Sequence, residues 1–201
     1  MGSLFSEQFK LPSLPCRQLE EYEPLVNFCV GRDKQSDFEV NRTARKLYVA
    51  ISAPQLVVLM NHGTKEVQLG PRKYPVLMGL CSVYAKPLDR MPETVKVPSD
   101  AGIYVNAIGL DLDFQGQYAE DPATGATQTL GDVLLESSLA SAEQSAYLTS
   151  LSAASYAWAL VLDGNTKSIE MFKRAGFKKY PPREPGGQSV MYRPAEPPPA
   201  E

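Results

Sequence analysis

Histidine is nearly absent from this sequence. His62 is the only one in 201 residues, and it lies in the turn-like tripeptide Asn61-His62-Gly63. A Ser-His-Asp or Cys-His machine would have to be built on that single residue. The chemistry is therefore expected to run without histidine, and His62 reads as a surface turn residue. Cysteine is scarce as well. Cys16, Cys29 and Cys81 are odd in number, far apart and without a CxxC pair, which argues against a disulfide framework or a structural zinc site and for a reducing compartment. No metal is expected. No apolar run approaches the roughly 18 residues of a membrane span, and the N-terminus lacks the basic, apolar, small-residue layout of a secretory leader. These absences point to a cytoplasmic protein with no membrane partner. Charge of one sign is not abundant either: 20 Lys+Arg stand against 23 Asp+Glu, a formal net charge of −3. With 43% hydrophobic and 21% charged residues, the composition excludes a wholly disordered chain and a protein that coats nucleic acid over its whole surface.

What is present has the length of one domain. Residues 1–18, with Pro12 and Pro15, read as an irregular lead-in. Helical spacing of Leu19, Tyr22, Leu25, Val26 and Cys29, interrupted by Pro24, predicts short helical pieces, and a second helix is expected over 36–46. The pattern then turns to strands over 47–52, 55–61 and 76–86, with a polar hairpin region at 63–75 and a proline-bearing connection at 87–101. A dense apolar strand covered on both faces is expected at 103–112. Residues 113–130, with Pro122 and Gly125, read as a long loop. A helix over 131–147, a strand over 155–162, a helix over 166–175 closed by Gly176, and a hairpin of 177–180 with 189–192 complete the order. The tail 194–201 is Pro-rich and expected to be disordered. The fold class is mixed α/β, α+β in character, with helices first, an antiparallel meander, then strand–loop–helix–strand–helix–strand.

Two segments carry chemistry. The apolar strand ends in Asp113-Phe114-Gln115-Gly116-Gln117, and a helix opens at Thr129-Leu130-Gly131-Asp132. A strand that passes through a glycine-bearing turn into a helix N-terminus presents unpaired N–H groups and the positive end of the helix dipole, a setting for phosphate. The second segment runs from Asn165 to Phe177. Read locally, Asn165 is an N-cap, Ile169 and Phe172 are core contacts and Gly176 is a C-cap.

Taken together, the two segments resemble the acetyl-CoA-binding half of the GNAT-type N-acetyltransferase superfamily. Its cofactor loop reads Gln/Arg-x-x-Gly-x-Gly/Ala, and its later helix reads Asn-x-x-Ala-x-x-x-Tyr-x-x-x-Gly-Phe. Here Asn165, Ser168, Phe172, Gly176 and Phe177 fall at the helix spacings, with Ser for Ala and Phe for Tyr, while residues 118–128 are inserted into the loop and Thr129 stands where glycine is usual. The resemblance covers about 47–192, within a domain set at 19–193, and implies a mostly antiparallel central sheet with a splayed strand pair and helices on both faces. It also implies acetyl-CoA as acyl donor, held by Leu110, Leu112, Gln115, Gly116, Gln117, Thr129, Leu130, Gly131, Asp132, Asn165 and Phe172. A substrate amine would attack the thioester directly, with a main-chain N–H near Leu110 polarising the carbonyl. The tyrosine that protonates the leaving thiolate in the family is replaced by Phe172, which has no hydroxyl. Tyr104, Tyr147, Tyr156 or Cys81 as substitutes, and unassisted departure, stay open. Asp111 and Asp113 are candidates to deprotonate the ammonium. A GNAT-fold binding or structural module without turnover is the competing reading.

The stretch Phe28-Cys29-Val30-Gly31, followed by Ser36-Asp37-Phe38 and Ala44, resembles the opening of GNAT-type toxins of toxin–antitoxin pairs. That resemblance implies aminoacyl-tRNA as acceptor, with another amine or a protein as alternatives, and an antitoxin partner. A homodimer is left open. Finally, residues 167–183 carry a local charge of +5, from Lys167, Lys173, Arg174, Lys178, Lys179 and Arg183 against Glu170. This segment could meet the phosphates of CoA or RNA, or simply be a solvated face.

Overall fold

A computed structural model describes residues 9–10, 13–15, 28, 55–89, 91–92, 95–98, 101–120, 124–144, 156–182 and 187–194. Apart from the buried Phe28, the helices expected over 19–29 and 36–46, the strand over 47–52 and the tail beyond 194 lie outside the described residues, as do Cys16, Cys29 and Tyr147. The elements in chain order are β1 (Phe9–Lys10), β2 (Ser13–Pro15), β3 (Gln55–Leu69), β4 (Arg72–Lys86), β5 (Gly102–Leu110), a 3-10 turn (Leu112–Phe114), β6 (Tyr118–Glu120), β7 (Thr127–Thr129), α1 (Leu130–Gln144), β8 (Tyr156–Leu162), α2 (Thr166–Arg174), β9 (Lys178–Tyr180) and β10 (Gln188–Pro194). Among the described residues eight strands form one sheet in the order β1-β3-β4-β5-β8-β10-β9, with β2 also paired to β3. Every pairing in it is antiparallel except β5 with β8. The lead-in is thus not wholly irregular, since β1 and β2 add to the sheet.

Side-chain alternation explains the two faces. On β8, Ala157, Ala159 and Val161 join the core beneath α1 and α2, while Tyr156, Trp158 and Leu160 join an aromatic cluster on the opposite face. A period of two does this automatically on a strand. The small alanines let the helices approach, and Val133, Leu134, Leu139, Ile169 and Phe172 fill the space above them. The opposite face packs Tyr104, Tyr156, Trp158, Val190 and Tyr192 under Leu88, Met91 and Val97. There Trp158 Nε1 donates to the Lys86 carbonyl at 2.9 Å, and the Leu88 N–H donates to the Tyr156 hydroxyl at 3.1 Å. Both described helices pack on the first face. Among the described residues no helix is long and apolar enough to cross a membrane.

The polar hairpin region expected at 63–75 is the outer half of the β3–β4 ribbon, closed by a two-residue turn with Gly70 at φ 57° followed by Pro71. The loop expected after β5 is corrected. The stretch 113–130 is a 3-10 turn followed by a separate two-stranded sheet, β6–β7.

His62 is not a turn residue. It lies in β3 paired with Phe9, at an irregularity in the register with β4. Its Nδ1 accepts the backbone N–H groups of Thr64 and Lys65 at 3.2 and 3.1 Å. Burial, aided by the Lys65 charge, pushes its pKa below the ordinary value. A histidine whose folded pKa is depressed stabilises the fold above the unfolded value of about 6.5, and that stability drains as pH falls through the folded pKa. Titrating the His62 ring by NMR should give a midpoint below about 6.5. A midpoint at or above that value would contradict the neutral, doubly accepting ring.

Candidate active site

The site begins with strand pairing that stops. β5 and β8 run parallel and pair only at Ile103–Ala157, Tyr104–Trp158 and Val105–Ala159. Beyond Val105 the two strands part, although each keeps its outer neighbour: β4 pairs β5 to Leu110, and β10 pairs β8 to Leu162. Their inner edges therefore carry backbone groups with no strand partner, which must be met by side chains, water or ligand. The Asp111 N–H donates to the Met78 carbonyl at 2.8 Å, so this residue points toward β4. Antiparallel pairing alternates, so Leu110, opposite Gly79, turns its N–H and C=O the other way, into the gap. The Leu110 carbonyl there accepts from Gln115 Nε2 at 3.1 Å.

The gap opens into a cleft of about 1120 Å³. One wall is Ile108, Gly109 and Leu110; the other is the turn at 162–168 with Glu170, Met171 and Arg174 of α2; Gln115, Gly116, Gln117, Thr129 and Gly131 close the end. That end is tightly built. Phe114, buried in the core, anchors the 3-10 turn, and the Asp111 carboxylate caps it by accepting the Asp113 N–H at 3.1 Å. Gly116 takes φ 77°, a left-handed value that favours glycine. Gln117 Nε2 donates to the Asp113 carbonyl at 2.7 Å, and the Gln117 carbonyl accepts the Leu130 N–H at 3.1 Å. Thr129, in the place expected for glycine, caps α1: its Oγ1 accepts the Asp132 N–H at 3.2 Å. Gly131 lies on the cleft wall, where a Cβ would meet Met171 Sδ at 3.1 Å, Thr129 Oγ1 at 3.8 Å and Leu110 Cδ1 at 3.9 Å.

On the other wall Asn165 caps α2, its Oδ1 accepting the Ser168 N–H at 3.2 Å, and Gly176 at φ 80° ends the helix. Part of the +5 segment is neutralised. Lys173 pairs with Glu170 at 2.8 Å, Lys179 with Asp163 at 2.6 Å, and Arg174 holds Asp132 through two 3.0 Å bonds. The Lys179 and Ser189 hydrogen bonds hold the Asp163 carboxyl below its usual range. Hydrogen bonding to Asp132, with a smaller Coulombic contribution from the Tyr118 phenol, raises Arg174 further. Among the described residues Lys167 and Lys178 form no ion pair, and Lys167 lines the cleft.

The structure thus brings Leu110, Gln115, Gly116, Gln117, Thr129, Gly131 and Asn165 to one cleft. It does not bring Leu112, Leu130, Asp132, Phe172 or Tyr104 to its walls. Leu130 and Phe172 are core residues, and the Phe172 ring packs edge-on to Phe177 with centroids 5.0 Å apart. Tyr104 lies in the aromatic cluster on the other face, 4.3 Å from Trp158 between centroids, because it alternates with Ile103 and Val105, which face the helices. Asp111 and Asp113 sit at the strand end outside the lining. Cys81 is fully buried, and burial pushes its thiol up to about 12. No cluster of His, Cys, Asp and Glu that could hold a metal occurs among the described residues. Sequence reasoning missed the wall at 162–164, Met171 and the Asp132–Arg174 fork, a pairing across 42 positions with no local signal.

Comparison with known proteins places the architecture. The chain is similar to a point mutant of the AtaT toxin bound to the C-terminus of the antitoxin AtaR and acetyl-CoA, with TM-score 0.53 and 13% identity over 93% of each chain. It is similar to a chain of the KacTA–DNA complex, with TM-score 0.54 and 12% identity over 92% of this chain and 93% of that one. It is also similar to an acetyltransferase from Thermus thermophilus, with TM-score 0.52 and 16% identity over 93% of this chain and 97% of that one. No family model matches the sequence, and no curated protein matches it. At these identities the likeness is one of fold, and that fold is the one shared by the GNAT acetyltransferases.

Proposed function

We propose that this chain is an acyl-CoA-dependent N-acyltransferase that moves an acetyl group from acetyl-CoA to a primary amine by direct attack. The observation that carries the reading is the early end of β5–β8 pairing, which opens a cleft running from a bare β-edge to the N-terminus of α1. A cradle that a Cβ at Gly131 would fill is the shape an anion-bearing ligand needs to approach backbone donors. The thioester of the bound donor supplies an acyl carbon already activated toward amines. Backbone N–H groups of Gly116 and Gly131, with the dipole of α1, would hold its phosphates, and Asn165 the arm between them and the thioester. The Leu110 N–H, turned into the gap, would donate to the developing oxyanion. No tyrosine, cysteine or histidine among the described residues lines the cleft. The leaving thiolate, a weak base with a pKa of about 8.5, departs without a protein acid in this scheme, and the proton given up by the attacking nitrogen passes to solvent. Asp111, Asp113 and Tyr104 do not touch the cleft walls and take no part in it; Asp163 and Glu170 are the carboxylates that face it.

The resemblance of 28–38 to the toxin branch supports the amino group of an aminoacyl-tRNA as acceptor, with a protein amine as the competitor, a cytoplasmic location and an antitoxin-like partner. The AtaT complex with the AtaR C-terminus is the structural parallel for that partner. A calorimetric titration with acetyl-CoA tests the central claim: saturable binding is expected, and no binding at millimolar ligand would sink it. A second reading, a cofactor-binding module without turnover, is favoured by the buried Phe172 and the absence of a lining hydroxyl acid among the described residues. Binding without release of free thiol in the presence of an amine panel would select it.

A further inference from the structure

The outer end of the cleft carries two features that a slot for a pantetheine thioester does not need. The first is Arg174. Its Nε and Nη2 are committed to Asp132 at 3.0 Å each, which fixes the plane of the guanidinium. A guanidinium has five N–H donors. Three therefore lie outside this fork, on a side chain that lines the cleft and is 51% exposed. The same fork neutralises a carboxylate in the first turn of α1, where a bare negative charge would repel an incoming anion. The second feature is Tyr118, 69% exposed and directly opposite cleft-lining Thr129 in the β6–β7 pair. Residues paired in this way project from the same face. Ala119, buried in the core, pins the hairpin so that this face stays at the rim. A large exposed aromatic ring beside a guanidinium held by a fork is an arrangement for a planar base and a phosphate.

We propose that this rim seats the adenosine 3′-phosphate end of the donor, with Tyr118 as the stacking surface for the adenine and Arg174 as the anchor of the phosphate. Asp132 is the positioning residue for that anchor, and Lys167, on the same helix and lining the same cleft, adds to the field. The inference rests on the acyl-CoA reading and narrows it. The donor is a free acyl-CoA, not an acyl chain on the phosphopantetheine arm of a carrier protein, which has no adenosine.

The test is a calorimetric titration of the full chain with CoA, 3′-dephospho-CoA and 4′-phosphopantetheine. CoA should bind tighter than dephospho-CoA by about tenfold, and dephospho-CoA, which carries a second phosphate, a ribose and the adenine, tighter than phosphopantetheine by more than the roughly five- to hundredfold of one base on one aromatic ring. Arg174→Ala should abolish the first difference, with Arg174→Lys restoring it only in part because the fork geometry is lost. Tyr118→Ala should lower the second by roughly five- to hundredfold, the share of the stacked base, and an unchanged difference overturns the stacking surface. Equal affinity for CoA and dephospho-CoA overturns the phosphate anchor, and equal affinity for dephospho-CoA and phosphopantetheine overturns the stacking surface. Either result leaves the acyl-CoA reading standing. Failure of all three ligands to bind overturns that reading, and the seat with it. The ligand series on the unaltered protein decides the matter even where an Arg174 variant misfolds.

Discussion

Gly131→Val is expected to lower the affinity for acetyl-CoA by at least about a hundredfold, equivalent to about 3 kcal/mol, while leaving the melting temperature nearly unchanged. The Cβ of residue 131 would sit between Met171 Sδ at 3.1 Å and the Thr129 and Leu110 side chains at 3.8 and 3.9 Å, all on the cleft walls. Two further methyl groups reach across the opening at the point where the first turn of α1 meets its anion. Stability should be spared because valine is the better helix residue than glycine by a few tenths of a kcal/mol, which offsets the crowding of a flexible methionine. Calorimetry reads the affinity and calorimetric melting the stability. An unchanged dissociation constant in a folded variant would place the ligand elsewhere and remove the role given to α1.

The largest loss of stability is expected at the opposite face. Trp158 is completely buried, packs on Tyr104, donates to the Lys86 carbonyl at 2.9 Å and lies 5.2 Å beneath the Lys86 ammonium. Trp158→Ala removes the ring, leaves a cavity between β8 and the segment above it, and orphans that carbonyl. A cost of about 3–5 kcal/mol is expected, the range for large aromatic truncations in a core. Trp158→Phe should cost about 1–2 kcal/mol, since it keeps most of the packing and loses the hydrogen bond. Urea denaturation checks both values. A loss below about 1 kcal/mol for the alanine variant would mean that the aromatic cluster does not bear on the sheet.

The elements written most plainly in the sequence are those whose signals are local. Asn165 and Gly176 bracket α2 because a cap and a left-handed terminus depend on single residues. The alternation of alanine and aromatics on β8 reads directly as two buried faces. The end of β8 is legible too, and with it the parted pair, once the likeness of Asn165–Phe177 to a known helix supplies the topology; the strand expected to reach Leu112 stops at Leu110, where the 3-10 turn takes over. Three features are not legible, each for a physical reason. β6 and β7 are three residues each and lie around Gly125, which reads as loop. Tyr104 reads as part of the chemistry because it lies on the right strand, but alternation places its ring on the side away from the cleft. Arg174 enters only as part of a charge count, since its partner Asp132 is brought near by the packing of α1 against α2.

The β6–β7 hairpin also bears on how this fold tolerates length. Its two ends are held together by the pairing of Tyr118 with Thr129 and by the bond from the Leu130 N–H to the Gln117 carbonyl, so the helix begins where a tight loop would have delivered it. Loop-closure entropy grows only logarithmically with length, by about 0.6 kcal/mol per doubling, and strand pairing with a core-anchored Ala119 offsets that cost within the hairpin itself. The segment is therefore a graft point. Sequence can be exchanged, lengthened or shortened there without moving the helix terminus next to it, which lets the rim of the cleft diverge while its base stays fixed.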